Sequence, residues 1–226
     1  MRILGLLGLL ATPVAADVTA AVLILPTDRY DHGVLGDAVE WGGLRISVTK
    51  GPDLVVTLPQ TRVFEDVEAR LADLDGDGRR EVVVVETDMA RGASLAVYDG
   101  AGKRAATAFI GQTHRWLAPA GIGDFDGDGR VELAYVDRPH LAKELVFVRY
   151  AQGRLTEIAR AIGFTNHRIG QDRISGGAVR CDGRDVLLVA DAGWTRRIAL
   201  RLEAAEVVER GTAPLRDTRP WRAACP

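Results

Sequence analysis

The stretch Asp73-Leu74-Asp75-Gly76-Asp77-Gly78-Arg79-Arg80-Glu81 returns as Asp124-Phe125-Asp126-Gly127-Asp128-Gly129-Arg130-Val131-Glu132. The offset is 51 residues at every position and continues beyond the motif, with Val82 to Val85 answered by Leu133 to Val136 and Gly102-Lys103 by Gly153-Arg154. An ungapped correspondence over a whole unit marks an internal repeat. A third, eroded copy follows: Asp185-Val186-Leu187-Leu188-Val189 lies 53 residues after Glu132 to Val136, with Gly177, Val179 and Cys181 where the acidic set would be. A fourth unit can be drawn ahead of the first from Ala38 to Trp41, Leu44 to Thr49 and Leu54 to Leu58.

Within each unit the elements read as short strands. Val82 to Thr87, Leu95 to Tyr98 and Ala106 to Ile110 are β-branched, aromatic or alternating runs bounded by turn residues. Glu132 to Val136, Leu145 to Tyr150 and Leu155 to Ala159 repeat the pattern, as do Asp185 to Val189, Ile198 to Leu202 and Val207 to Glu209. Glycine-bearing segments before each loop, Ala118 to Phe125 and Ser175 to Val179, supply a fourth strand. Four strands in about 51 residues is the size of a propeller blade. The expected fold is all-β, a small β-propeller of about four four-stranded blades; an incomplete propeller or a two-sheet sandwich fits the strand count as well. The repeats fall near 38–66, 67–117, 118–170 and 171–211, in a single domain over 17–226 with a tail from 212. Val18 to Leu25 belongs to no unit and is expected to pair with the last strands and close the ring. Leu155, Ile158, Ala159 and Ile162 also have helical spacing, a reading ranked below the strand.

Carboxylates at alternating positions of a glycine-containing turn repel one another unless a cation joins them. Hard oxygen donors in that number suit calcium better than zinc, copper or magnesium. The spacing assigns Asp73, Asp75, Asp77, the carbonyl of Arg79 and Glu81 to one ion. Asp124, Asp126, Asp128, the carbonyl of Arg130 and Glu132 are assigned to a second. Gly76 and Gly78 allow the left-handed turns such a loop needs. An EF-hand requires glutamate at the twelfth position and a helix after the loop; here the twelfth residues are Val84 and Tyr135, and a strand follows.

These Asp-x-Asp-Gly-Asp-Gly-x-x-Glu loops, each followed by an apolar strand, resemble the FG-GAP/VCBS repeats of integrin-α-type β-propellers. The resemblance covers about Val67 to Ile162. It implies calcium sites and an extracellular protein that binds proteins or other ligands, sometimes beside an enzyme domain. The chain has too few units for seven blades.

Composition agrees with export. Arg2 followed by an apolar core from Ile3 to Leu10 and small residues at Pro13-Val14-Ala15-Ala16 reads as a signal peptide cleaved after Ala16, residues 1–16. The apolar run is too short to span a bilayer, so a periplasmic or extracellular product is expected. A net charge of −2 with scattered arginines argues against nucleic acid or an anionic membrane as partner. Cys181 and Cys225, the two cysteines, can form a bridge in an oxidising compartment or remain separate thiols.

No nucleophile elbow, phosphate loop or zinc spacing is present. Two polar clusters near unit boundaries, His114 with Trp116 and Asn166, His167, Arg168 with Asp172, are candidates for a ligand-binding rim. Solvated loops are the plainer reading of both. The function expected is a non-catalytic binding or scaffold module for protein or carbohydrate ligands. The alternative is a small exported hydrolase or lyase working around His167, Arg168 and Asp172.

Overall fold

Residues 16–215 are described in the computed structural model, and no helix occurs among them. The strands are β1 (Val18–Thr27), β2 (Glu40–Val48), β3 (Leu54–Thr57), β4 (Arg62–Phe64), β5 (Arg70–Ala72), β6 (Glu81–Asp88), β7 (Gly92–Asp99), β8 (Gly102–Ala106) and β9 (Leu117–Gly123). They continue as β10 (Glu132–Asp137), β11 (Glu144–Ala151), β12 (Arg154–Ile162), β13 (Phe164–Thr165), β14 (Gly177–Cys181), β15 (Arg184–Asp191), β16 (Arg196–Glu203) and β17 (Glu206–Pro214). Three antiparallel sheets result: an eight-stranded one from β1 to β8, a four-stranded one from β9 to β12 and a five-stranded one from β13 to β17.

The apolar runs explain how the sheets stack. Side chains alternate faces along a strand, and Val82 to Val85 are all buried, so both faces of their sheet must be covered. Val83, Val85, Leu95 and Val97 pack against Leu133, Tyr135, Val146 and Val148 of the second sheet. Their neighbours Val82, Val84, Ala96 and Tyr98 pack the other way, on Val18, Leu44, Ile46 and Phe64. The second sheet repeats the arrangement, turning Ala134, Val136, Leu145 and Phe147 toward Leu187, Val189, Ile198 and Leu200 of the third. Burying each such Leu, Val or Phe side chain is worth about 1.5–3 kcal/mol, so the seams between sheets dominate cohesion. Close approach is essential there: a Cβ on Gly121 in β9 would lie 2.7 Å from the Leu187 side chain and 3.0 Å from the Ala178 amide nitrogen.

The N-terminal third departs from the repeat. Residues 38–66 form no sheet of their own. β1 pairs antiparallel with β2 from Val18↔Val48 to Thr27↔Glu40, β3 lies on the other side of β2, and the Trp41↔Phe64 pair joins β2 to β4. The expected pairing of Val18 to Leu25 with the last strands is therefore replaced by the β1–β2 hairpin, whose register satisfies one edge of β1 locally. The hairpin curls over the first sheet and occupies the face where another blade would stack. The architecture is an open array of blade-like sheets with a curled first sheet, as the incomplete-propeller and sandwich alternatives allow. Thr156 to Ile162 lies in β12, paired with β11 throughout, and is strand.

The β1–β2 connection crosses from one unit to the others. The Tyr30 hydroxyl accepts from the His114 amide at 2.9 Å, and the Val34 carbonyl accepts from the Gly170 amide at 3.2 Å. Beneath it lie buried carboxylates. Glu65 meets His32 and Thr87, and Asp66 takes a fork of hydrogen bonds from Arg70. Glu40 is 1% exposed, and its Oε2 has no hydrogen-bond partner. Burial, then the charges of Glu65, Asp37 and Asp66, push its pKa up to about 9.

Because the folded pKa of Glu40 lies above the unfolded value, its contribution to stability is complete at low pH and is lost as pH rises toward 9. Glu40→Gln, which mimics the neutral acid, should raise stability by roughly 1–3 kcal/mol at pH 8 and have little effect at pH 5. Urea denaturation at the two pH values reads this directly; an equal effect at both would show that charge is not the cause.

Candidate metal centres

Each acidic turn runs from an inner strand to the strand beside it, β5 to β6 and β9 to β10. The two turns repeat bond for bond. Asp73 accepts from the amides of Gly76 and Gly78 at 2.8 and 2.9 Å, and Asp124 accepts from Gly127 and Gly129 at 2.7 and 3.0 Å. Asp75 accepts from the Asp77 amide at 3.3 Å and Asp126 from the Asp128 amide at 3.0 Å. Asp77 and Asp128 accept from the amides of Arg79 and Arg130, both at 2.9 Å. The four glycines sit at φ between +78° and +84°, where a side chain is strained, which is why glycine stands at those places in both copies.

The closing glutamates are held from inside. Glu81 and Glu132 open β6 and β10, 6% and 0% exposed, and their Oε2 atoms accept from the amides of Leu74 and Phe125 at 2.9 Å. Leu74 is buried in the seam between the first and second sheets, Phe125 in the seam between the second and third. Every turn is thus nailed into the core by its second residue.

One oxygen each from Asp73, Asp75 and Glu81 lie within 4.8 Å of one another, and so do those of Asp124, Asp126 and Glu132. Burial pushes Glu81 up to about 7, the Leu74 amide opposes it, and Asp75, Asp77 and Asp73 add to the rise. Burial raises Glu132 as well, opposed by Arg149 and the Phe125 amide. These all-oxygen, convergent, mutually repelling donors fit a hard divalent ion. Asp77 and Asp128 stand apart from the converging oxygens: Asp77 meets the Arg79 guanidinium and Asp128 meets that of Arg149 at 3.0 Å.

The remaining candidates separate into interior and surface groups. Trp116 is 2% exposed, and Asn166 and His167 are fully buried. Trp116 donates to the Glu65 carbonyl, and Asn166 Nδ2 donates to the carbonyls of Pro119 and Ala118. His167 lies 3.1 Å from His140 and 2.9 Å from the Gln171 carbonyl oxygen. Burial and the neighbouring imidazoles push His140 down to about 4, and burial lowers His167. Trp116, Asn166 and His167 therefore lie in the interior and not on an exposed rim, with the Asn166 Oδ1 buried there without a hydrogen-bond partner. His114 is at the surface, paired with Asp31 at 2.9 Å and stacked on Tyr30. Arg168 lies 4.5 Å above the Trp194 ring, and Asp172 is exposed beside Arg173. His114 and His167 share no carboxylate partner among the described residues. Cys181 is buried against Val186, Leu188 and Ala199; Cys225, and with it the choice between a bridge and separate thiols, lies outside the described residues.

The chain is thus a β-repeat protein with paired acidic turns whose oxygens could hold metal ions. Residues 73–135, which span both turns, match the FG-GAP-like repeat family, so the chain carries an FG-GAP-like repeat there. No curated protein matches the chain. Solved structures of partly similar shape include a Bacillus licheniformis rhamnogalacturonan lyase PL11, at 15% identity and a TM-score of 0.46, covering 78% of this chain and 42% of that one. The exotype rhamnogalacturonan lyase YesX is 16% identical with a TM-score of 0.47, covering 79% of this chain and 39% of its own. The rhamnogalacturonan lyase YesW is 16% identical with a TM-score of 0.43, covering 79% and 41%. The chain spans about two fifths of the length of these enzymes, and the likeness says nothing about its chemistry.

Removing one converging oxygen should empty one centre and spare the other, because each set lies within its own turn. Asp75→Ala and Asp126→Ala are each expected to lower the calcium stoichiometry measured by titration calorimetry from two to one. Loss of both ions in either variant would mean that the turns act as one site.

Proposed function

We propose that the protein is an exported, calcium-stabilised FG-GAP/VCBS repeat protein that acts as a non-catalytic binding or scaffold module for protein or carbohydrate ligands. The observation that carries this reading is the pair of superposable turns whose carboxylate oxygens converge beside a buried glutamate. The converging oxygens of Asp73, Asp75 and Glu81 hold one ion and those of Asp124, Asp126 and Glu132 the other; Asp77, the Arg79 carbonyl, Asp128 and the Arg130 carbonyl, assigned by spacing, would complete the two shells. Calcium supplies the positive charge that lets these groups coexist. Export rests on the leader pattern through Ala16 and on the extracellular setting usual for such repeats; that leader lies outside the described residues up to position 15. No described helix is long and apolar enough to cross a membrane.

For the ligand, the supporting feature is a cleft of about 470 Å³ where the inner strands of the three units face one another. Glu68, Arg70, Asp172 and Arg173 line it beside Pro119 and Gly121. Arg70 is committed to Asp66, whereas the Arg173 side chain is 72% exposed and meets Asp172 at 3.4 Å. Arg173, held only by the exposed Asp172, is the cleft's donor most open to a polar ligand.

Calcium at about a hundred times its Kd should add ~2.7 kcal/mol to stability, a melting shift of roughly 5–10 °C for a chain of this size. A thermal scan indifferent to chelator and calcium would remove the metal reading. Ligands recovered from glycan and peptide arrays should bind Arg173→Ala at least about tenfold more weakly with the melting temperature unchanged; undiminished binding would place the ligand elsewhere.

A further inference from the structure

The two turns share their internal amide-to-carboxylate bonds and differ in what faces them: the Arg80 amide donates to Asp17 in the first, and the Asp124 amide donates to Asp185 in the second. In the second, the Arg149 guanidinium reaches from β11 into the acidic set. Its Nη2 lies 3.0 Å from Asp126, its Nη1 lies 3.0 Å from Asp128, and its Nε donates to Glu132 at 3.0 Å, with a second contact from Nη2 to the same carboxylate. Two of the three converging carboxylates are therefore already bridged by a fixed positive charge. In the first turn no basic side chain among the described residues pairs with Asp73, Asp75 or Glu81. Arg79 meets only Asp77, which stands outside the converging set.

The difference originates in strand register. β10 and β11 pair Glu132 directly with Arg149. In the first unit the ladder runs through Val82↔Tyr98, and one further step places Asp99 across from Glu81. The same place holds a cation in one copy and a carboxylate in the other. Asp99 holds Arg104 at 3.3 Å, and that guanidinium acts on Glu81 only through space, with no hydrogen bond to the converging carboxylates.

Resting on the calcium reading above, we infer that Arg149 is a built-in competitor for the second ion, so that the two turns are graded: the first an open calcium site, the second one that calcium fills only by displacing the guanidinium. Arg149 also borders a cavity of about 680 Å³ between the two turns, lined further by Asp75, Asp77, Arg130 and Tyr150. This leaves the displaced side chain somewhere to go. The first turn then responds to low calcium, while the second stays charge-satisfied and ordered without an ion. It binds calcium only at higher concentration.

The test is calcium titration calorimetry on the full chain, with Asp126→Ala reporting the first turn alone and Asp75→Ala the second alone, each with and without Arg149→Met. The first turn is expected to bind at least tenfold more tightly than the second. Arg149→Met should tighten the second at least tenfold and leave the first unchanged. Equal affinities, or a second turn indifferent to Arg149→Met, would overturn the inference and leave the calcium reading standing. Absence of calcium heat in both single-turn variants would overturn both. Thermal scans add an independent readout. In chelator Arg149→Met should melt below the parent, because Glu132 loses its partner, and calcium should close the gap. A deficit that persists in saturating calcium would show that Arg149 only packs, and would overturn the inference.

Discussion

The structure depends on a conflict placed at the mouth of each second strand: a glutamate no more than 6% exposed must share a space under 5 Å across with two aspartates. Two unit charges 4 Å apart repel by about 4 kcal/mol at an effective dielectric near 20, a large fraction of a domain's net stability. The turn cannot relieve this by opening. Its second residue, Leu74 or Phe125, is fixed in the seam between sheets, and its glutamate is tied to that residue's amide. Electrostatic neutralisation and seam packing are therefore one event. Whatever cation settles in the turn also holds an inner strand, its neighbour and the next sheet in place.

Much of the architecture was legible because the repeat carries its own ruler. The 51-residue offset located β6, β7, β10 and β11, a 53-residue one located β15 and β16, and continuous apolar runs such as Val82 to Val85 announced sheets covered on both faces. The N-terminal curl was not legible. Val18 to Leu25 is apolar and unpatterned, so nothing local chooses between the last strands and β2 as its partner. The union of β2 with the first blade rests on the single pair Trp41↔Phe64. The helical spacing around Ile158 gave way to β12 because the strand completes a ladder that a helix would leave unpaired.

At the site, the carboxylates could be read from spacing alone, since alternation and glycine placement are local properties. Arg149 could not. The offset that matches every loop residue sets Arg149 against Tyr98, and only the shifted hairpin register brings it across from Glu132. The opposite error arose at Trp116, Asn166 and His167. Polar side chains near unit boundaries suggest a solvated rim, yet these find carbonyl partners in the interior. The missing signal was the β1–β2 connection, which carries Tyr30 and Val34 across the boundaries and contacts the residues on either side of them.

The curl of β1, β2 and β3 caps one end of the array. It seals the outer face of the first sheet with Val18, Leu44 and Ile46, and on the far side of the third sheet Val186, Leu188 and Ala199 are buried around Cys181 as well. In stacked-repeat proteins a dedicated cap stops addition at its own end. Any evolutionary or designed lengthening of this array at its first sheet would therefore have to displace the hairpin and uncover Val18, Leu44 and Ile46.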